Sequence, residues 1–211
     1  MEERTEMVLH QVERRGVTDP RVLDALRAVP RHLFVPLKLQ RMAYMDGPLP
    51  IGGGQTISQP YIVGLMTQLA EVQPGDKVLE VGTGSGYQAA VLAELTDRVF
   101  SIEIIPELAE QARHRLKAMG YTQVQVRTGD GWLGWPEEAP FDAILVTAAP
   151  EEIPQPLADQ LAEGGVLVMP LGPSGGYQQL ICARKKGGKL EQETVTSVSF
   201  VPLVRGAESS E

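Results

Sequence analysis

A strand that ends in three closely spaced glycines and runs into a helix constrains the fold of this chain more than any other feature. Residues 78–81 are a short, mainly apolar run with two valines, typical of a buried parallel strand. Gly82, Gly84 and Gly86 follow at alternate positions, and the alanine- and leucine-rich segment 88–95 predicts a helix. This order predicts a nucleotide site, because the glycine turn lets the backbone approach a ligand and the helix N-terminus presents free N–H groups.

The spacing of the glycines favours one ligand over its main competitor. The motif is G-x-G-x-G, whereas dinucleotide-binding folds have G-x-G-x-x-G, so the spacing favours S-adenosylmethionine over NAD. A dehydrogenase would also need a hydride-transfer partner, often a histidine or a Tyr/Lys pair. The three histidines, His10, His32 and His114, lie on predicted helices or a connector, away from strand ends. We therefore interpret them as structural residues.

From Lys77 onward, predicted strands alternate with predicted helices. The strands are expected at 77–81, 98–103, 124–128, 141–146 and 165–170, and the principal helices between them at 106–119 and 156–162. Such alternation predicts an α/β fold of the Rossmann-like kind, an open and mostly parallel twisted sheet with helices on both faces. Two apolar segments around Gly187-Gly188, at 179–184 and 194–201, predict a hairpin, so the sheet should end in an antiparallel pair.

The N-terminal part predicts helices and loops. Residues 5–29 are expected to form two short helices, of which the first ends at Gly16 and the second begins with Asp19 as its cap, before Pro20. Residues 31–36 predict an extended connector. Residues 46–54 predict a loop rich in proline and glycine. A helix should run from Ser58 to Leu69, with Ser58 as its N-cap.

We expect one domain over residues 1–211. Residues 1–57 would supply the N-terminal helices and a substrate-side loop, 58–204 the cofactor-binding core, and 205–211 a frayed tail.

Acidic residues follow the predicted strands at the edge where open α/β sheets bind ligands. Glu103 closes the second strand of the alternating region, where a carboxylate can accept hydrogen bonds from both hydroxyls of a ribose. Asp130 follows the third strand and could accept from an adenine amino group. Glu80 lies inside the first strand, and two interpretations stay open: a cofactor contact or a brace for the glycine turn.

Composition excludes several classes of function. Nineteen basic and 27 acidic residues give a net charge of −8, which argues against nucleic acid as a partner. Neither an apolar run of membrane-spanning length nor a cysteine/histidine cluster for a metal is present in the sequence, and the charged N-terminus argues against a signal peptide. A single cysteine, Cys182, fits a reducing compartment. We expect a cytoplasmic monomer without metal.

Several motifs beyond the glycine turn carry a resemblance to a known family. They lie at 29–36, 54–60, 78–92, 129–131, 141–149 and 200–203. Thr56-Ile57-Ser58-Gln59-Pro60 and Phe200-Val201-Pro202-Leu203 are the most specific, since many methyltransferases share the glycine motif. From about Arg31 to Leu203 the chain closely resembles the protein-L-isoaspartate O-methyltransferases.

The resemblance implies a class I methyltransferase fold and an activity. The enzyme would transfer a methyl group from S-adenosylmethionine to the free α-carboxylate of an isoaspartyl residue in a damaged protein or peptide, leaving S-adenosylhomocysteine. The ester would collapse to a succinimide and hydrolyse partly to normal aspartate. Ser58 would be the active-site hydroxyl, with Thr56, Ile57 and Val201 also at the substrate. The implied cofactor contacts are Gly82, Thr83, Gly84, Ser85, Gly86, Glu103, Asp130, Gly131 and Thr147.

The chemistry needs little from the side chains. A carboxylate acceptor, with a pKa of about 3.5, is already an anionic nucleophile at neutral pH, so no general base is required. We expect Ser58 to hold and orient it. The three glycines of the loop 50–55 suit either a lid over the cofactor or an ordinary surface loop, and the resemblance implies that the loop moves with Thr56 and Ser58. Two alternatives stay open: a methyltransferase acting on another carboxylate or a small molecule, and a protein that binds the cofactor without catalysing transfer.

Overall fold

A computed structural model describes residues 2–206 and contains a seven-stranded sheet in the order β5-β4-β3-β6-β7-β8-β9. The strands are β1 Leu49–Gly52, β2 Gln55–Ile57, β3 Lys77–Val81, β4 Arg98–Glu103, β5 Gln125–Thr128, β6 Phe141–Val146, β7 Leu161–Leu171, β8 Gln178–Lys186 and β9 Lys189–Val198. The α-helices are α1 Glu2–Met7, α2 Pro20–Ala28, α3 Pro60–Leu69, α4 Tyr87–Ala93, α5 Pro106–Ala118 and α6 Gln155–Gln160. No helix within residues 2–206 is long and apolar enough to cross a membrane.

Strand β3 lies at the centre of the sheet and pairs in parallel with β4 and β6. Its last four residues are buried, which explains why the segment is a continuous apolar run apart from Glu80. Strands β5, β4, β3, β6 and β7 are parallel, and β8 and β9 are antiparallel to their neighbours. The predicted Rossmann-like α/β class, with an antiparallel C-terminal pair, is confirmed.

Two hydrophobic clusters cover the two faces of the sheet. Alternate residues along β3 divide between them: Val78 belongs to the cluster packed under α2, α3 and α4, and Leu79 and Val81 belong to the cluster on the opposite face, with Leu157 of α6. This alternation follows from the two-residue period of a strand. The carboxyl ends of β3, β4 and β6 therefore meet at one edge, where the glycine turn follows β3.

The N-terminal segment agrees with the predicted pair of helices. Helix α1 continues as a π-helical turn and a 3₁₀ turn that ends at Gly16, which has a φ of +98°. Helix α2 has Asp19 as its N-cap, and the Asp19 side chain accepts a hydrogen bond from the Arg21 N–H. Between 31 and 36, however, the prediction of an extended connector is wrong, because Arg31–Phe34 is a 3₁₀ helix.

Two further expectations for the segment before α3 are corrected. The predicted loop 46–54 includes strand β1, which pairs antiparallel with β2, so the three glycines 52–54 lie at a hairpin turn. Ser58 is not the N-cap of α3. That position is Gln59, directly before Pro60, and the helix has no side-chain cap.

At the C-terminus, the last strand ends earlier than expected. Strand β9 stops at Val198. Beyond it, Pro202 forms a separate parallel bridge with Ala149. In this bridge the Ala149 N–H donates to the Val201 carbonyl, and the Leu203 N–H donates to the Ala149 carbonyl. Arg205 and Gly206, which belong to the expected tail, contact Trp132 and Asp130 of the site described below. Residues 207–211 of that prediction lie outside the described residues.

Candidate active site

The turn after β3 is built on glycines for steric reasons. Gly82 has a φ of +98°, and a Cβ placed there would overlap Thr147 Oγ1. Thr147 in turn donates to the Gly82 carbonyl at 2.7 Å, which joins the ends of β3 and β6. Gly84 and Gly86 also have positive φ, and Gly86 is the N-cap of α4. The close approach of Thr147 therefore requires glycine at 82.

Glu103 holds this turn from the neighbouring strand. Its Oε2 accepts the Gly84 N–H at 2.7 Å and its Oε1 accepts the Ile105 N–H at 3.0 Å. Glu103 is 5% exposed as a whole residue and lines a small cavity beside the turn. Because each carboxylate oxygen can accept more than one hydrogen bond, Glu103 can fix the turn and still accept from the hydroxyls of a ligand.

Asp130 lies at the end of β5, at the expected sheet edge, but both of its oxygens already accept hydrogen bonds. Oδ1 accepts from the Trp132 N–H at 2.8 Å and Oδ2 from the Gly206 N–H at 2.9 Å. The Arg205 guanidinium lies 4.0 Å from the centre of the Trp132 ring. At the adjacent Gly131, a Cβ would overlap Val81. The C-terminal segment thus covers the acid expected to read adenine.

Three recesses meet around Thr56 and Thr147. The first cavity, about 60 Å³, lies on the Glu103 side of the glycine turn and includes Gly82, Gly84, Glu103, Gly131 and Val201 in its lining. The second cavity, about 30 Å³, lies on the Glu80 side and includes Ser58, Glu80, Thr83, Ser85 and Tyr87. The large groove, about 460 Å³, runs outward along residues 196–201 and also contains Ser58. Thr56 and Thr147 line all three.

Of the four residues expected at the substrate, three line the large groove and one is buried in the core. Ser58 is half-buried between the large groove and the second cavity, and its hydroxyl makes no hydrogen bond within residues 2–206. Thr56 is exposed at the junction. Ile57 is 3% exposed and its side chain belongs to the core. Val201 lines the groove and the first cavity, although its carbonyl already accepts the Ala149 N–H.

Glu80, for which the sequence leaves two interpretations open, lies in an unusual environment. It is fully buried, Oε2 accepts a hydrogen bond from Ser101 Oγ, and Oε1 has no hydrogen-bond partner. Burial, together with the nearby charge of Glu103, raises the pKa of Glu80 to about 8 although the Ser101 hydrogen bond opposes the shift. The available signal was an acid in the middle of an apolar strand, where a charge is costly without a partner.

These residues fit S-adenosylmethionine. The glycine turn accepts close approach of a ligand, Glu103 lies where ribose hydroxyls are bound in such folds, and the unpartnered oxygen of Glu80 suits a cationic group. Within residues 2–206 no group of His, Cys, Asp and Glu could hold a metal ion. The three histidines take no part: His10 and His114 pair with glutamates on their own helices, and His32 bonds to Tyr44.

Comparison with known proteins gives a consistent result. The sequence model of the protein-L-isoaspartate (D-aspartate) O-methyltransferases matches residues 2–208. The chain is 58% identical over 200 residues to the protein-L-isoaspartate O-methyltransferase of Picosynechococcus sp., covering 95% of this chain and 89% of that protein. The chain belongs to the protein-L-isoaspartate (D-aspartate) O-methyltransferase family.

Solved structures of the family agree with this membership. A protein-L-isoaspartate O-methyltransferase superposes with a TM-score of 0.84 at 29% identity, over 94% of this chain and 65% of that chain, so this protein spans about two thirds of its length. A family member from Plasmodium falciparum, in complex with S-adenosyl-L-homocysteine, gives a TM-score of 0.83 at 26% identity. The superposition covers 96% of this chain and 99% of the Plasmodium chain. The family, its methyltransferase class and its S-adenosylmethionine cofactor, all predicted from the sequence, are confirmed.

Proposed function

We propose that this protein methylates the free α-carboxylate of isoaspartyl residues at the junction of the large groove and the two cavities. The observation that carries the proposal is the shared lining: Ser58, Thr56 and Thr147 border both the open groove and the space beside the glycine turn. An acceptor in the groove and a cofactor against the turn would meet at these hydroxyls. S-adenosylmethionine supplies an electrophilic methyl group on a cationic sulfur when bound.

Ser58 orients the acceptor. Its hydroxyl has no other partner in the described chain, so it is free to donate to an incoming carboxylate. No base is needed, because the acceptor is ionised at neutral pH. Alignment of two reactants lowers the activation free energy by up to roughly 7–11 kcal/mol in favourable cases. Positioning of the acceptor is therefore the main contribution expected from Ser58.

The cofactor is held mainly by backbone and carboxylates. The turn 82–86, with Thr83 and Ser85 between its glycines, would contact the amino-acid part of the cofactor. Glu103 would contact the ribose, and Asp130, Gly131 and Thr147 the adenine side. For Asp130 to accept from adenine, it would share Oδ2 with the Gly206 N–H or release it.

The groove suits an extended peptide. It follows residues 196–201, and β9 is the edge strand of the sheet, where backbone groups are open to pairing. The Val201 N–H donates to no acceptor within residues 2–206, so it is the backbone group of that residue left for a substrate. Recognition through backbone and carboxylate would leave side-chain preference broad.

The hairpin β1–β2 acts as a lid. Ile51 lies 3.3 Å from the position of a Cβ on Gly84, and Ile105 lies 3.3 Å from that of Gly53, so the hairpin packs over the glycine turn. Cavities of about 60 and 30 Å³ are far below the roughly 300 Å³ of a typical ligand pocket. The hairpin must therefore move outward to admit the cofactor.

Several further properties are part of the proposal. Residues 58–204 would supply the cofactor site, and residues 1–57 the lid and part of the groove through Arg15, Pro48 and Thr56. A single cysteine supports a cytoplasmic location, and the net charge of −8 supports proteins and peptides, not nucleic acid or an anionic membrane, as partners. We propose a monomer, which light scattering of the purified protein would test.

The experiment that tests the function compares an isoaspartyl peptide with its normal aspartyl twin. We expect methyl ester only from the isoaspartyl peptide. Equal methylation of both peptides would show that the protein is a carboxyl methyltransferase without preference for isoaspartate. Binding of S-adenosylhomocysteine without ester from any isoaspartyl peptide would establish a protein that binds the cofactor but does not catalyse transfer.

A further inference from the structure

A buried chain of hydrogen bonds lies directly beneath the glycine turn. Thr83 Oγ1 and Ser101 Oγ are 2.6 Å apart, and Ser101 Oγ is 2.5 Å from Glu80 Oε2. Ser101 and Glu80 are both completely buried, and Thr83 is 3% exposed. Because Glu80 and Ser101 are paired residues of adjacent parallel strands, their side chains leave the sheet on the same face.

The number of hydrogens fixes the direction of this chain when Glu80 is ionised. Ser101 has one hydroxyl hydrogen, and it is donated to Glu80 Oε2. The Ser101 oxygen must then accept from Thr83. The whole chain therefore ends on Oε2 and leaves Oε1 as the one oxygen of Glu80 that has no partner.

The titratable groups around Glu80 come from several elements. Within residues 2–206, no lysine, arginine or histidine forms an ion pair with it, and the charge acting on it comes from Glu103 on β4. Helix α4 contributes Tyr87, whose pKa burial raises to about 12, so the phenol stays neutral. Ser58 and Thr56 of the segment before α3 are neutral, and Leu145, the paired residue on β6, is apolar.

The ligand proposed for this cavity carries the missing charge. The amino-acid end of S-adenosylmethionine has an ammonium group, which would lie in the second cavity, whose lining includes Glu80. A carboxylate binds an ammonium group more strongly than a neutral carboxyl does, so the cofactor would favour the ionised form of Glu80. Binding is therefore coupled to ionisation of Glu80.

We infer that Ser101 is a positioning residue that, held by Thr83, directs the free oxygen of Glu80 toward the ammonium group of the cofactor, and that cofactor binding expels a proton from Glu80. In this step the O–H bond of Glu80 breaks, the proton passes to solvent, and the carboxylate remains paired with the ammonium ion. The inference rests on the proposed function, since it requires the amino-acid end of the cofactor to lie in the second cavity.

Calorimetric titration with S-adenosylhomocysteine tests the coupling without turnover. At pH 7, binding is measured in phosphate and in Tris, whose ionisation enthalpies differ widely. With a free pKa of about 8 for Glu80, we expect release of roughly 0.9 proton per ligand. The Glu80→Gln variant should release none. An enthalpy that is the same in both buffers for the native protein would overturn the inference.

Variants of Ser101 test the positioning role. Ser101→Ala should bind S-adenosylhomocysteine roughly tenfold more weakly at pH 7, because the carboxylate loses its charge-assisted hydrogen bond. The rise of affinity with pH should also continue to a higher pH than in the native protein. Ser101→Thr, which keeps a hydroxyl, should restore the native affinity and the native dependence of affinity on pH. Thr96→Val is the control, because it removes a buried hydroxyl that is bonded to the Asp76 carbonyl near the start of β4. Its affinity for S-adenosylhomocysteine and the pH dependence of that affinity should match those of the native protein.

The outcomes separate the inference from the proposed function. If Ser101→Ala keeps native affinity and a native pH profile, the positioning role is wrong. If S-adenosylhomocysteine binds without proton release, the coupling is wrong while the proposed function is unaffected. If the native protein does not bind S-adenosylhomocysteine, both are wrong.

Discussion

Glu103 Oε2 accepts the Gly84 N–H at 2.7 Å, so the acid at the end of β4 fixes the shape of the turn at the end of β3. The two ends are neighbours because all five residues of β3 pair in parallel with β4, up to the residue before Glu103. An acid expected only to contact ribose therefore also maintains the turn that would hold the rest of the cofactor.

Glu103→Gln should damage both stability and cofactor binding. The amide has one acceptor oxygen, so either the Gly84 N–H or the Ile105 N–H would face an NH₂ group, at a cost of about 1–3 kcal/mol. Urea denaturation and the Kd for S-adenosylhomocysteine measure the two effects. As a control, Glu94→Gln should be close to native, because its amide oxygen can still accept from Tyr121. Native values for Glu103→Gln would contradict the bracing role.

Gly82→Ala should weaken cofactor binding at least tenfold and destabilise the fold. The left-handed backbone costs a non-glycine residue about 1–2 kcal/mol, and the added Cβ would displace Thr147. Gly75→Ala is the matched control, since Gly75 has a similar φ of +87° and open space around it. The control should lose stability and keep cofactor affinity. Equal losses in both variants would show that the Thr147 contact is unimportant.

The stability of the cofactor-free protein should fall as pH rises from 6 to 8 because of Glu80. Its pKa is raised from 4.5 in the unfolded chain to about 8 in the fold, so in this range the native state holds a proton that the unfolded state has lost. The free energy of unfolding falls by up to about 1.4 kcal/mol per pH unit, and by less as the pH approaches 8. Relative to the native protein, Glu80→Gln should gain about 2 kcal/mol between pH 6 and 8 in urea denaturation. Parallel pH profiles of the two proteins would refute the assignment.

The hairpin β1–β2 should be protected from protease by the cofactor. Its turn at Gly52–Gly54 is exposed and contains three residues with positive φ. If the hairpin closes over a bound ligand, cleavage near Gly53 should slow several-fold when S-adenosylhomocysteine is added. Cleavage that does not slow would show that the hairpin is an ordinary surface turn.

The sequence predicts the sheet well because its signals are local. The apolar run of β3 has the predicted bounds, as do β4 and β6, and a stop at Gly16 and a cap at Asp19 are both found. The same locality explains the errors. Ser58 precedes a proline helix start and has the chemistry of a cap, but the helix begins one residue too late for it.

Contacts between distant segments could not be predicted. The Gly206 N–H bonds to Asp130 across 76 residues, and the Thr83–Ser101–Glu80 chain depends on the register of β3 against β4. The strands of hairpin β1–β2 are not predicted, because the segment is rich in glycine and proline, which are typical of loops. For the site, the sequence motifs predict that the cofactor lies at the edge after β3, and only the fold shows that the groove and the two cavities meet at Thr56 and Thr147.

Ser58→Ala is the most direct test of the central claim, that Ser58 orients the acceptor carboxylate where the groove meets the cofactor cavity. Methylation of an isoaspartyl peptide is measured together with the Kd for S-adenosylhomocysteine. We predict a fall in kcat of roughly 100-fold, the scale of a misplaced reactant, with an unchanged Kd and recovery of activity in Ser58→Thr. Native kcat in the Ser58→Ala variant would contradict the account.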